Sequence, residues 1–232
     1  EGLRPNIGLR GAHPHRSKKI VLMEDGILIA PAPYSAPAAY YFPSIMAMED
    51  VEVFKGPLAI EYGPNTIGGA INLISRRIPY NSETFADIGG GSFDFRKLHL
   101  YHGNMKGQWG WLFEGMHLES RGFKELDGGG DTGFQRSNFA GKIQWSSPSS
   151  AQNFQQWTLK VGYSKEVSKE TYLGITKDDF AKNSNRRYLA SKLGNMDWTQ
   201  SQIVLTHFGE LGRVTINTDV YNNSYMRNWL KF

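Results

Sequence analysis

Few residues of this 232-residue chain stand in patterns that carry bond chemistry. His13 and His15, two apart in GAHPHRS, could join a metal site, but no second ligand group follows nearby in sequence, and a metal centre needs several. No cysteine is present, so disulfide, thiolate-metal and thiol chemistry are excluded. The turn-rich stretch Val51 to Arg77, VEVFKGPLAIEYGPNTIGGAINLISRR, contains GPNTIGG. That segment lacks the Lys-Ser/Thr ending of a phosphate loop, and no helix pattern follows to offer an anion-binding N-terminus. Its glycines are expected to be structural. No catalytic residue, resident metal or cofactor is therefore expected. Binding chemistry remains. Tyr34, Tyr40 and Tyr41 of PAPYSAPAAYYFP offer hydroxyls and flat ring faces. Arg186 and Arg187, a guanidinium pair, could meet an anion.

The elements that must hold these groups are mainly β. The formal charge of +4 is small and both signs are interspersed, so no nucleic-acid footprint is present. No run of about 18 apolar residues occurs, which rules out a spanning helix; a spanning barrel stays open, because its strands alternate and keep mean hydropathy low. The chain opens at EGLRPNIGLRG without Met or a signal-like segment, as expected of a piece cut from something longer. Within KIVLMEDGILIA two apolar runs flank Asp-Gly, the pattern of a β-hairpin. A proline- and tyrosine-rich extended loop follows, then a short helical turn over Ser44 to Asp50 with Ser44 as its cap. In Val51 to Arg77, four glycines and two prolines mark repeated reversals between the strands VEVF and GAINLIS.

Beyond Tyr80 the texture changes to segments of about ten alternating residues, each followed by a connection. Trp157, Leu159, Val161 and Tyr163 oppose Gln156, Thr158, Lys160 and Ser164. Phe139, Ile143 and Trp145 oppose Asn138, Lys142 and Gln144; Trp109, Trp111 and Phe113 repeat the pattern, as do Val214, Ile216 and Val220 against Thr215, Asn217 and Asp219. Strands are predicted near 83–91, 95–103, 108–118, 136–145, 154–166, 198–208 and 213–225. In a soluble sandwich the apolar face would turn inward, and in a transmembrane barrel it would turn to lipid. From the second join onward, short turns alternate with long loops, the asymmetry of an outer-membrane barrel. Trp109, Trp145, Trp157 and Trp198, near predicted strand ends, suit its aromatic girdles. A soluble or surface β-rich binding module is the rival expectation.

Two blocks carry a family likeness. GLRGAHPHRSKKIVLMEDGILI and MEDVEVFKGPLAIEYGPNTIGGAINLISRRIP, in that order and spacing, resemble the plug domain of TonB-dependent outer-membrane receptors over about the first eighty residues. More weakly, APAPYSAPAAYYFP and TYLGITKDDFAKNSNRRY resemble the ferric-citrate receptor group. The resemblance implies a plug domain (α+β, a small mixed sheet) over residues 1–80. It would sit inside an antiparallel transmembrane β-barrel of about 22 strands, of which 81–232 hold only the first seven or so. An open sheet of that size cannot stand alone in lipid, so the chain would be part of a larger receptor.

The same resemblance implies a function without catalysis: import of a ferric chelate, a siderophore or ferric-citrate-like ligand, across the bacterial outer membrane. Its partners would be TonB with the inner-membrane energising complex, the chelate itself, and the lipid and lipopolysaccharide of that membrane. Two basic plug residues of the family face barrel glutamates; by position these are Arg10 and Lys55, the lysine losing the bidentate fork of the commoner arginine. The apical plug loop implies ligand contacts at Tyr34, Tyr40 and Tyr41, with Arg186 and Arg187 in the longest loop. Ala36 and Ala38 replace glutamines of the ferric-citrate group, which removes donors for citrate and shifts the expectation toward a more apolar or aromatic siderophore. A non-iron cargo such as cobalamin, nickel or a glycan is the alternative within the family.

Overall fold

Asp25 and Gly26 take left-handed backbone, with φ of 51° and 80°, and reverse the chain between β1 (Ile20–Glu24) and β2 (Ile27–Leu28). Asp-Gly is the pair that tolerates this turn, and the hairpin expected from the sequence forms there. The computed structural model describes residues 5–29 and 41–231. It has two compact units, one ending at Arg77 and the other starting at Ile78.

In the first unit, β3 (Met48–Phe54) and β4 (Gly69–Ser75) complete a four-stranded mixed sheet of order β2-β1-β4-β3. β1 runs parallel to β4, while β3 is antiparallel to it. All five β1 residues are buried, as expected of a central strand covered on both faces. The hairpin turn is pinned to β4 through side chains. Asn72 Oδ1 accepts from the Gly26 amide at 2.8 Å, Asp25 Oδ1 accepts from the Ser75 amide at 2.8 Å, and Asn72 Nδ2 donates to Glu52 Oε2 at 2.8 Å.

Two local expectations change. The helical turn after Ser44 is a single 3-10 turn, Ile45–Ala47, with no capping bond from the Ser44 side chain; Glu49 and Asp50 belong to β3. Pairing of Met48 and Asp50 with β4, across an irregularity at Glu49, draws the segment into the sheet because it satisfies backbone groups that one frayed turn cannot. Conversely, Gly56–Tyr62 is a 3-10 helix where the sequence suggested only reversals, with Pro57 in its first turn. It sets the fully buried Ala59 beside Val21, Met23 and Ala70, with Phe54 and Tyr62 packed around them. Gly69 allows the closest approach: at φ 138°, a Cβ there would lie 2.4 Å from the Phe54 carbonyl oxygen.

The second unit is a seven-stranded antiparallel meander of order β13-β12-β10-β9-β7-β6-β5. Its strands are β5 (Glu83–Gly91), β6 (Phe95–Lys106), β7 (Trp109–Ser120), β9 (Phe134–Ser146), β10 (Asn153–Ser168), β12 (Asn195–Leu211) and β13 (Val214–Leu230). The short strands β8 (Glu125–Leu126) and β11 (Arg186–Arg187) lie in the connections, as does the one-turn helix α1 (Lys177–Lys182). All seven predicted strands are present, several of them longer than expected, and the last two reach 17 residues. That length exceeds a typical globular strand.

Register turns the alternation into two faces. Trp109, Trp145, Trp157 and His207 are successive cross-strand partners, and the Trp157 and His207 rings stack at 4.2 Å. Further rungs on this face run Trp111-Ile143-Leu159-Leu205-Val220 and Phe113-Gly141-Val161-Ile203. Gly115-Phe139-Tyr163 follows, and then the polar rung Ser137-Lys165-Thr199. The band from Trp157 to Tyr163 is about 20 Å along the strand at roughly 3.3 Å per residue. Most of its large side chains are exposed, and Trp111 and Trp145 are half-buried. The opposite face carries Glu114, Arg136, Lys160, Ser164, Glu166, Gln200 and Gln202, all buried. This is the reverse of a soluble sandwich. Trp198 departs from the girdle expectation: it is 1% exposed on the polar face, with the Arg136 guanidinium 5.4 Å over its ring. One place of register decides this, because neighbouring residues point to opposite faces.

The close contact at Gly69 gives a test. Gly69→Ala should destabilise the first unit by about 1–3 kcal/mol, the cost of a strained, clashing backbone. Gly115→Ala, with nothing within 4 Å of its Cβ, should stay within about 0.5 kcal/mol. Chemical denaturation of the full-length protein carrying each substitution measures both.

Candidate functional site

The turns 107–108, 147–152 and 212–213 close one end of the meander, and the connections 92–94, 121–133 and 169–194 close the other. The two long connections are bound into one structure. β8 and β11 pair in parallel, Arg186 beside Glu125 and Arg187 beside Leu126. The Glu125 amide donates to the Asn185 carbonyl at 2.9 Å and the Asp127 amide to the Arg187 carbonyl at 2.8 Å. Around this short ladder, Asn183 Nδ2 donates to Glu125 Oε2 at 2.7 Å and Lys124 Nζ to Thr171 Oγ1 at 2.8 Å.

Arg186 is the centre of the clamp. Its Nε and Nη2 donate to the two carboxylate oxygens of Asp127 at 2.9 and 3.0 Å, a bidentate fork. Its Nη1 donates to Asp179 Oδ1 at 2.7 Å. Asp179 sits in the first turn of α1, whose N-cap Thr176 accepts from the Asp179 amide at 3.2 Å, and it accepts from the Tyr188 hydroxyl at 2.6 Å. The hydrogen bonds from Tyr188 and Thr176, then the nearby Arg186 charge, hold the Asp179 carboxyl below its ordinary value of 3.8. The hydrogen bond and charge of Asp127 raise Arg186 further above the usual guanidinium range. Arg187 turns back on its own loop, with Nη1 donating to the carbonyls of Ser184 at 3.0 Å and Arg186 at 2.6 Å. Both arginines flagged by the sequence thus sit at one loop junction, and Arg186 spends its fork on joining the loops. Nothing in the sequence signals this, because Asp127 and Arg186 lie far apart in the chain.

The other candidate residues fall in the first unit. Tyr34 and Tyr40 lie outside the described residues. Tyr41 is 5% exposed and stands beside the buried Phe42. Arg10 and Lys55 share one corner: the Arg10 Nη1 lies 3.3 Å from where a Cβ on Gly56 would stand, next to Lys55. Both cations are exposed, and neither forms an ion pair among the described residues. His13 and His15 rings are 6.2 Å apart, and no group of three potential metal ligands occurs among the described residues.

A second cluster, which the sequence reading did not single out, lies on the polar face of the meander at its long-loop end. Glu166, Trp198 and Arg227 are cross-strand neighbours, and the next rung holds Ser168, Met196 and Trp229. Tyr172, from the 169–194 connection, meets Trp229 edge-on at 6.1 Å. Only the register of β13 brings Arg227 and Trp229 to this face, and that register is not readable from alternation among polar neighbours.

Residues 1–70 match the family model "TonB-dependent Receptor Plug Domain". Among curated proteins, the chain is 29% identical over 131 residues to the vitamin B12 transporter BtuB of Photobacterium profundum, covering 55% of this chain and 22% of that protein. It is 34% identical over 100 residues to the vitamin B12 transporter BtuB of Vibrio vulnificus, covering 42% of this chain and 15% of that one. Among solved structures, the unliganded ferric citrate transporter FecA superposes with a TM-score of 0.80 at 16% identity, over 98% of this chain and 34% of its own. The closed form of the ferric-catecholate import receptor Fiu from E. coli K12 gives a TM-score of 0.72 at 18% identity, over 97% and 31%. The chain thus spans no more than about a quarter of these curated relatives and a third of these structures.

The clamp predicts coupled loops. Arg186→Ala should raise hydrogen–deuterium exchange in both 121–133 and 169–194 by about ten-fold, while the meander strands keep their protection. Because the Asp179 value is depressed on folding, its stabilisation is complete above the ordinary carboxylate value and is lost as pH falls through the lowered one. Pepsin nicking of 169–194, normalised to an unfolded peptide, should therefore rise steeply below that window, and Asp179→Asn should remove the pH step.

Proposed function

We propose that this chain, in which a TonB-dependent receptor plug domain precedes the first strands of the barrel fold of such receptors, belongs to an outer-membrane importer of a ferric chelate. The chelate binds above the plug, and a pull from TonB remodels the plug and opens a path. No bond is made or broken in that cycle; the work is differential binding between two plug states.

One observation carries the membrane reading: the meander exposes a continuous apolar band, bounded at one end by a tryptophan rung, and buries its charges on the other face. Exposed apolar surface of this extent is costly in water and favourable against acyl chains, with the indoles at the interface. The connections 121–133 and 169–194 then face the cell exterior, and the three short turns face the periplasm. The chelate contacts in this reading are Tyr34, Tyr40, Tyr41 and Arg187, while Arg186 acts by joining the two long connections. Arg10 and Lys55, exposed at one corner, supply the electrostatic tie to barrel carboxylates, a contact weak enough in a wet setting to rearrange during transport.

A cobalamin cargo is the second reading, favoured by the two curated relatives named above, both vitamin B12 transporters. The test is growth of a deletion strain with ferric chelates supplied singly under iron limitation, and separately with cobalamin as the limiting nutrient. Dependence on at least one ferric chelate is expected; dependence on cobalamin alone would replace the iron reading with the second. The full-length protein should fractionate with outer membranes and require detergent, and recovery as a soluble protein would overturn both. Tyr40→Ala should weaken chelate binding about ten-fold, roughly 1.4 kcal/mol, without reducing the receptor in the membrane. Tyr41 is better tested as Tyr41→Phe, which keeps its packing and removes the hydroxyl.

A further inference from the structure

We propose that the Asp127-Gly128 peptide is a site of spontaneous isoaspartate formation, held intact while Arg186 joins the two long connections and converted when they part. Asp127 and Gly128 are the central residues of a four-residue turn, closed by the Gly129 amide donating to the Leu126 carbonyl at 2.8 Å. Gly128 has φ of 82°, the left-handed backbone that the third position of a type II turn requires. The turn therefore dictates glycine. Glycine also leaves its own amide nitrogen least shielded, because no Cβ stands beside it. Residues 128–130 are exposed, and the Gly128 amide makes no hydrogen bond among the described residues. A carboxyl group followed by such an amide can close a five-membered ring.

In that step the Gly128 nitrogen attacks Asp127 Cγ. The N–Cγ bond forms and a Cγ–O bond breaks, and the amide proton leaves with the hydroxyl of the protonated carboxyl as water. Water then opens the ring. Cleavage of N–Cγ restores aspartate; cleavage of the bond from nitrogen to the Asp127 main-chain carbonyl routes the chain through Cβ and Cγ and leaves that carbonyl carbon as a free carboxylate. Net charge is unchanged, water is the only co-reactant, and the backbone gains one methylene.

The fold restrains this chemistry at the junction. Arg186 Nε and Nη2 hold both Asp127 oxygens, at 2.9 and 3.0 Å, so neither is released to take the proton with which it would leave. The Asp127 amide is tied to the Arg187 carbonyl at 2.8 Å. These ties all cross between the two connections, so they are lost together when the connections part. A converted residue carries its carboxylate on a lengthened backbone, out of step with the guanidinium, and the junction does not close again as before. The chain has one other Asp-Gly pair, Asp25-Gly26, and it is guarded differently. There the carboxylate accepts from the Ser75 amide and hydroxyl, and the nucleophile itself is engaged, the Gly26 amide donating to Asn72 Oδ1 at 2.8 Å. Those ties lie within one small sheet, which opening of a surface connection leaves intact.

The test is timed incubation of the purified full-length protein in warm, mildly acidic buffer, followed by proteolysis and electron-transfer fragmentation, which distinguishes isoaspartate from aspartate at each position. A synthetic peptide of residues 125–136 gives the unrestrained rate. Conversion at Asp127 in the wild-type protein should be about ten-fold slower than in the peptide, and Arg186→Ala should raise it about five-fold. Asp179→Asn, which weakens the hold on Arg186 and leaves Asp127-Gly128 untouched, should raise it in the same direction and keeps the test decisive if Arg186→Ala loses its fold. Asp25 is the folding check and should stay unconverted in every folded protein. In aged wild-type protein, hydrogen–deuterium exchange in 121–133 and 169–194 should rise with the converted fraction. Wild-type conversion as fast as in the peptide, a folded Arg186→Ala protein converting at the wild-type rate, or converted protein whose two connections stay protected would each overturn the assignment.

Discussion

The governing constraint is that a backbone surrounded by acyl chains has no water to satisfy it. Every amide and carbonyl in such a place must find a partner in the chain. In the membrane reading proposed above, the meander meets this with unbroken antiparallel ladders, each strand bonded to its sequence neighbour among the seven. Once the ladders are in place, the side chains are free to separate by face, and the polarity of the two faces follows from what surrounds them. This is why a largely exposed rung of tryptophan and a buried rung of arginine and glutamate coexist in one sheet. The edges β5 and β13 carry the same demand, and a full barrel meets it by closure.

The first unit obeys a different rule, that of close backbone approach. Its central strand is buried on both faces, and its neighbours are tied to the hairpin turn by Asn72 and Asp25. Gly69 brings β4 against the Phe54 carbonyl without a side chain in the way. The stretch whose glycines most resemble a catalytic loop is thus the packing joint of a small mixed sheet, and its 3-10 helix supplies the buried Ala59.

What the residues disclose by themselves is whatever repeats locally. Alternation of period two locates all seven long strands, and Asp-Gly locates the hairpin. Ser44 misleads because a capping residue is only as good as the helix after it, and β-pairing claims that segment. Trp198 misleads about its face because its immediate neighbours are polar on both sides and the alternation there is silent. The fork of Arg186 is invisible for a simpler reason: a two-residue strand has no period, and its partner belongs to another connection. Arg227 and Trp229 stand in the same position, since only cross-strand register tells which face they share with Trp198. Pattern reports elements; proximity between elements needs the fold.

The parallel contact between β8 and β11 also has a meaning for how the chain assembles. Closing a loop costs entropy that grows only slowly with length, by about 0.6 kcal/mol for each doubling. The long connection 169–194 therefore adds little burden to the pairing of β10 with β12. The contact between the two connections, however, has nothing to join until β7, β9, β10 and β12 have already brought their ends together. Assembly thus has an order written into its geometry, with strands laid down neighbour by neighbour and the rim fastened last. An element fastened last, with exposed polar bonds and little apolar surface, is also the first to open. The rim can yield while the wall beneath it stands.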